Sequence, residues 1–334
     1  MRQIMIKWSW NEVAKMKQTT KLGLKLAGVV GAATYAGSLV GGLLAYKMAM
    51  HVSDAQKGRG QELSRSENTE IENFWYEKQP QQEWVIQSFD GLNLVATYIP
   101  NPKTVGRLVI LAHGLGHSRE QMIPYARIFM SLGYDVLMPD ARAFGDSEGH
   151  TIGYGWLDRL DYERWITVAL NQLGDDVEIV LMGISMGAAT VMATSGEPLP
   201  ENVKAIIEDS GYVDLYDEAK YRLTHKFHLP AYPIMPVANL IASRRAGYAF
   251  KDGRILHQVA ISGLPILMIH GSRDKTVPVR NAHKLYDQLP QQKELYIDPD
   301  AAHVQAIRTH PDRYQEVVDE FLREEAGLSG NGEN

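Results

Sequence analysis

Ser185 lies in Gly183-Ile184-Ser185-Met186-Gly187, a G-x-S-x-G pattern preceded by VEIVLM at 177–182 and followed by the small residues Ala188, Ala189, Thr190 and Ala193. The apolar run has the length and β-branched content of a buried strand, and the small residues suit a helix packed closely on a sheet. A serine on a sharp strand-to-helix turn presents its hydroxyl at the sheet's carboxyl edge. There the N–H groups of the helix amino terminus can stabilise a developing negative charge. Side chains at the flanking glycines would collide with the strand or the helix. A serine hydroxyl is a weak nucleophile at neutral pH, so the chain must also supply a base and an acid that orients it.

Four more polar clusters fall at expected strand ends: HGLGH at 113–117, DARAFGDS at 140–147, HGSRD at 270–274 and DPDAAH at 298–303. Asp209, at the end of another expected strand, is a further carboxylate. His113 and His117 stand four apart, but in a glycine-rich loop without the glutamate of H-E-x-x-H, which favours loop support over metal binding. His225, His228 and His257 read as solvated or hydrogen-bonded side chains.

The elements that must position these clusters alternate. A hairpin over 83–99 turns at Asp90-Gly91, and strands are expected at 107–112, 134–138, 177–182, 203–207, 265–269 and 294–297. Helices are expected at 120–132, 156–173 and 312–322, with apolar residues at three- and four-residue spacing. Such alternation implies an α/β fold with a mostly parallel sheet, helices on both faces, and function at the strands' carboxyl ends. Residues 212–263 break the rhythm and read as a cap over that edge, rich in Tyr, Leu, Ile and Met.

In this order, HGLGHS, DARAFGDSEG, GISMG, HGSRDKTVP and the histidine of DAAH resemble the motifs of the α/β-hydrolase superfamily, over about 74–322. The resemblance implies Ser185 as nucleophile, His303 as general base and Asp274 as the acid that orients it, with Asp209 a geometric rival for the acid. It implies an oxyanion hole from the backbone N–H groups of Leu115 and Met186, whose side chains would line the acyl pocket. Asp140 and Arg142 would hold loops together. The implied activity is a serine hydrolase cleaving carboxylic esters through an acyl-enzyme, with no cofactor or metal. The substrate would be a small-molecule or lipid-like acyl ester. A serine peptidase of aminopeptidase or acylaminoacyl-peptidase type is an alternative. It would need Asp214, Asp217 or Glu218 to receive a substrate ammonium. A catalytically inactive tethered binding protein is the third reading.

The amino-terminal part asks for separate treatment. Residues 26–46 form 21 consecutive uncharged positions, about 30 Å as a helix and enough to span a bilayer. The basic tail 1–25 keeps the amino terminus cytoplasmic by the positive-inside rule and sends the catalytic domain across the cell membrane. An uncleaved signal anchor fits better than a cleaved signal peptide, because the run is long and Tyr46-Lys47-Met48 is a poor cleavage site. This start resembles membrane-anchored bacterial cell-surface hydrolases of the esterase and serine aminopeptidase-like branch. Ala33, Gly37, Gly41 and Ala45 form a small-residue stripe that offers a homodimer face. Residues 47–70 read as a polar linker, 71–328 as the hydrolase domain and 329–334 as a disordered tail. Residues 1–70 carry ten Lys/Arg against five Asp/Glu, so the chain's net −6 leaves −11 on the remainder. That acidity argues against nucleic acid as partner. The absence of cysteine excludes disulfides and thiolate chemistry.

Overall fold

The computed structural model describes residues 40–104, 106–290 and 292–328, together with Lys15, Gln18, Lys21, Lys25 and Gly37. Runs such as RLVILA and EIVLMGI are apolar at successive positions, so both faces of the strands they form must be covered. They become β3 (Arg107–Ala112) and β5 (Glu178–Ile184), which pair in parallel at the centre of an eight-stranded sheet. The others are β1 (Gln82–Gln87), β2 (Asn93–Ile99), β4 (Asp135–Pro139), β6 (Val203–Asp209), β7 (Ile266–Gly271) and β8 (Lys293–Asp298). Their order is β1-β2-β4-β3-β5-β6-β7-β8, with the β1/β2 and β2/β4 pairs antiparallel and the rest parallel.

Alternate residues of the central strands feed two cores. Leu108, Ile110, Ile179 and Leu181 face one side, with Trp165 of the helix Asp158–Leu173, Val191 of the helix Met186–Thr194 and Val259 of the helix Ile255–Ser262. Val109, Leu111, Val180 and Met182 face the other, with Phe129 of the helix Ile123–Ser131 and Phe321 of the helix Pro311–Glu324. Each such side chain contributes about 1.5–3 kcal/mol relative to exposure, which fixes strand register as well as layer order.

Sequence and structure part company at three places. The expected cap is not a separate layer, because Leu215 of the helix Leu215–His225 and Ala238 and Ala242 of the helix Ala231–Arg245 are buried in the first core, as are Ile255 and Val259 of Ile255–Ser262. The helix Arg280–Gln288 arises where no element was expected, since only Ala282 and Leu285 of its nine residues are buried. Residues 47–70 are not a featureless linker. They hold the helix Asp54–Ser66, and Glu70–Glu77 follows as a second.

The transmembrane expectation is also corrected. Among the described residues, no helix is long and apolar enough to cross a membrane. Most of 26–46, Ala33 included, lies outside the described residues. The described carboxyl-terminal part, within a helical stretch at 40–50, lies against the domain. A Cβ on Gly41 would sit 3.7 Å from Ile234, and one on Gly42 would collide with Val237. Ala45, Tyr46 and Ala49 pack against the first core, and Met50 is buried in it. Of the stripe that read as a dimer face, Gly41 and Ala45 therefore lie against the chain itself, while a Cβ on Gly37 would meet nothing within 4 Å. The signal anchor, the single-pass topology, the extracytoplasmic placement and the homodimer through a membrane helix all lose their support.

Candidate active site

Ser185 stands between β5 and its helix with φ 54° and ψ −111°, a conformation that non-glycine residues rarely adopt. The glycines around it are required by close approach. A Cβ on Gly183 would lie 2.1 Å from the Gly187 carbonyl oxygen, and one on Gly187 would lie 2.0 Å from that of Ala112. The Ser185 N–H donates to the Asp209 carbonyl oxygen at 2.8 Å, so the end of β6 also holds the turn.

His303 comes from the loop after β8, which Asp298 shapes by accepting the N–H groups of Asp300 (3.0 Å) and Ala301 (2.9 Å). Its Nε2 accepts from Ser185 Oγ at 2.9 Å and its Nδ1 donates to Asp274 Oδ2 at 2.6 Å. Asp274 follows β7 in a turn where its Oδ1 accepts the N–H groups of Thr276 (2.8 Å) and Val277 (2.9 Å). Burial would push this carboxyl up, but hydrogen bonds from His270, His303 and the Val277 N–H prevail and hold it well below the usual carboxylate range. Asp209 does not reach His303. Its carboxylate accepts from Ser210 Oγ (2.8 Å) and the Tyr314 hydroxyl (3.1 Å), and burial raises its pKa.

The HGLGHS loop lies beside this line. A Cβ on Gly114 would be 3.6 Å from Ser185 Cβ. Neither the Leu115 nor the Met186 N–H has an acceptor among the described residues, so both remain available to an oxyanion. The two side chains differ. Leu115 lines the cavity over Ser185, whereas Met186 is buried among Val52, Ala143 and Phe144 and is not among the residues that line it. His113 supports the loop. Its Nδ1 donates to the Gly114 carbonyl oxygen (2.8 Å), its Nε2 accepts the Ala141 N–H (3.0 Å), and burial lowers its pKa to about 4. Asp140 accepts the Arg119 and Asp146 N–H groups, and Arg142 bridges Asp161 and Asp90.

Sequence reasoning missed several side chains here. Gln121 Oε1 accepts the Gly114 N–H at 2.9 Å and fixes the loop. His270 Nε2, shared with the Val277 carbonyl oxygen, stands 3.2 Å from Asp274 Oδ2. The amino-terminal helices form one wall. Ser64 Oγ accepts the Ser118 N–H (2.9 Å), Asn68 Nδ2 donates to the Glu120 carbonyl oxygen (2.8 Å), and Arg308 Nη1 bridges to Glu72 Oε1 (2.6 Å). A signal for these helices was present in the reciprocal pair Thr69–Glu72, a T-x-x-E capping box.

The cavity over Ser185 and His303 measures about 690 Å³ and is bounded by Glu67–Thr69 and Arg308 on one side and by Arg222 and Lys226 on the other. That volume suits a drug-sized ligand. The arrangement sets a hydroxyl, an imidazole, a carboxylate and two N–H groups without an acceptor among the described residues beside a cavity, a geometry compatible with acyl transfer.

Comparison with known proteins agrees with the fold. Residues 107–233 match a family model described as alpha/beta hydrolase fold. The uncharacterized protein YqkD of Bacillus subtilis (strain 168) is 27% identical over 247 residues, covering 74% of this chain and 81% of that protein. A lysophosphatidylserine lipase, ABHD12 of Danio rerio, is 27% identical over 237 residues, covering 66% of this chain and 54% of the lipase. The Pyrococcus furiosus esterase Pf2001 superposes with a TM-score of 0.62 at 23% identity, covering 78% of this chain and 97% of the esterase. Fold and distant likeness together support a hydrolase of the α/β-hydrolase clan.

Proposed function

We propose that the chain is a serine hydrolase that cleaves a carboxylic ester of a small or lipid-like acyl substrate through an acyl-enzyme. The observation that carries this reading is the unbroken line Ser185 Oγ–His303–Asp274, at 2.9 and 2.6 Å, on a strained elbow beneath a cavity. His303 takes the Ser185 proton as Oγ attacks the ester carbonyl, and the oxyanion rests between the Leu115 and Met186 N–H groups. Asp274 holds the imidazole with Nε2 toward the serine and stabilises the imidazolium that forms. His303 then protonates the leaving alcohol, and the same nitrogen activates the water that frees the acid.

None of the three cap acids offered for a substrate ammonium in the peptidase alternative lines the cavity over Ser185, and of them only Asp217 is exposed with its carboxylate unused among the described residues. Glu218 is paired with Arg222 (2.6 Å), and Asp214 caps its own helix by accepting the Asp217 N–H (2.8 Å). The test is turnover of 4-nitrophenyl butyrate. Ser185→Ala and Asp274→Asn should each lower kcat by about 10³-fold or more, and variants as fast as the native chain would overturn the proposal.

A further inference from the structure

The walls of the cavity over Ser185 carry Arg222, Lys226 and Arg308 against a single carboxylate, Glu67, in a domain whose composition is strongly acidic. These three cations are not equivalent. Arg308 is committed, with Nη1 on Glu72 Oε1 (2.6 Å) and Nη2 on the Glu67 carbonyl oxygen (3.3 Å) and Asn68 Oδ1 (3.4 Å). Arg222 is only half committed. Its Nε donates to Glu218 Oε1 at 2.6 Å, while among the described residues its two terminal nitrogens have no partner. Lys226 follows one turn later, and its ammonium also has no partner among them.

The Arg222 side chain is 25% exposed. Its charge is balanced by Glu218, and its two terminal nitrogens are left as donors for a ligand in the cavity it lines. Arg222 and Lys226 line the same cavity as Ser185 and His303, so this end of the helix faces the reacting groups across it. A planar fork offers two parallel donors, and an ammonium offers a point charge for a further oxygen. Together they match a group with three peripheral oxygens better than a carboxylate.

We propose that the substrate is an acyl ester bearing a phosphate, which Arg222 and Lys226 hold on the cap side of the cavity while Ser185 attacks the ester. This rests on the serine hydrolase reading above. It adds a requirement that reading does not make, since a neutral ester would leave the Arg222 terminal nitrogens and the Lys226 ammonium without an anionic partner from the substrate.

The experiment compares 1-octanoyl glycerol with 1-octanoyl glycerol 3-phosphate, and in parallel the binding of their ether analogues, which have no ester to cleave. The native chain should favour the phosphate ester by at least about tenfold in kcat/KM, with the preference shrinking as salt rises. Arg222→Gln should reduce that preference about tenfold, the scale of a lost charge-assisted hydrogen bond, and Lys226→Gln about threefold. Equal kcat/KM for the two esters, or a preference untouched by both substitutions, overturns the phosphate site while leaving the hydrolase standing. Preferential binding of the ether phosphate with no turnover of either ester upholds the site and removes the hydrolase reading instead.

Discussion

The two walls of the cavity are built in opposite ways. On the amino-terminal side, the helices Asp54–Ser66 and Glu70–Glu77 meet the HGLGHS loop and Arg308 through buried hydrogen bonds. Gly60 lies so close that a Cβ there would stand 2.7 Å from the Gly116 carbonyl oxygen. On the cap side, the helix Leu215–His225 and the residues after it present Arg222 and Lys226 with donors unused, and Phe227 and Leu229 are exposed. A wall whose polar groups are matched within the protein can hold backbone donors in place. A wall with unmatched groups is available to a ligand. One wall therefore serves geometry and the other serves recognition.

The comparison breaks most visibly at Gly60. Gly60→Ala removes no charge and adds helix propensity, yet its methyl group must displace the backbone next to Leu115, the proposed oxyanion donor. We expect kcat for a neutral nitrophenyl ester to fall about tenfold or more, a loss of the size of one weakened oxyanion contact. An unchanged kcat would show that the amino-terminal wall does not hold the loop.

Next in size is a group beneath both walls. Burial raises the Glu208 carboxyl to about 7, and its Oε1 has no hydrogen-bond partner among the described residues. The fold prefers its neutral form, so its contribution is complete below the unfolded value near 4.5 and is lost as pH rises through about 7. Glu208→Gln should therefore stabilise the protein at pH 8 by about 1–3 kcal/mol and flatten urea stability between pH 5 and 8. A slope equal to that of the native chain would move the pH sensitivity into the walls.

Arg308→Gln tests the matched wall again by stranding the mostly buried Glu72. Urea unfolding should show a loss of about 1–2 kcal/mol, below the figure for a fully buried pair because the Arg308 side chain is 32% exposed. Lys226→Gln, on the open wall, should change stability by less than about 0.5 kcal/mol. Equal losses from these two substitutions would erase the contrast.

What the sequence disclosed follows the same division. The strands expected at 107–112 and 265–269 were legible because burial on both sheet faces demands nearly unbroken apolar runs. The Ser185 turn was legible because its glycines answer to local steric demands, and the order of Ser185, Asp274 and His303 follows from where parallel strands end. The amino-terminal wall was not legible. Its buried residues are Gly60, Ser64, Asn68 and Glu72, which are held by hydrogen bonds and close contact and leave no hydrophobic period to read. Residues 40–46 misled for the converse reason, since small apolar residues that dock on protein resemble those that pack in lipid. Motif order favoured Asp274 over Asp209 but strand position alone did not separate them, since both stand near the ends of neighbouring strands; their hydrogen bonds differ, Asp274 accepting from His303 and Asp209 from Tyr314.

The central claim is that the Ser185 hydroxyl, activated by His303, is the reacting group. Its most direct measurement is labelling with a fluorophosphonate probe, followed by peptide mass analysis of the native chain, Ser185→Ala and His303→Ala. The account predicts one adduct, on Ser185, absent from the first variant and formed at least about 10²-fold more slowly in the second. An adduct on another residue, or equal labelling rates in the native chain and His303→Ala, would contradict it.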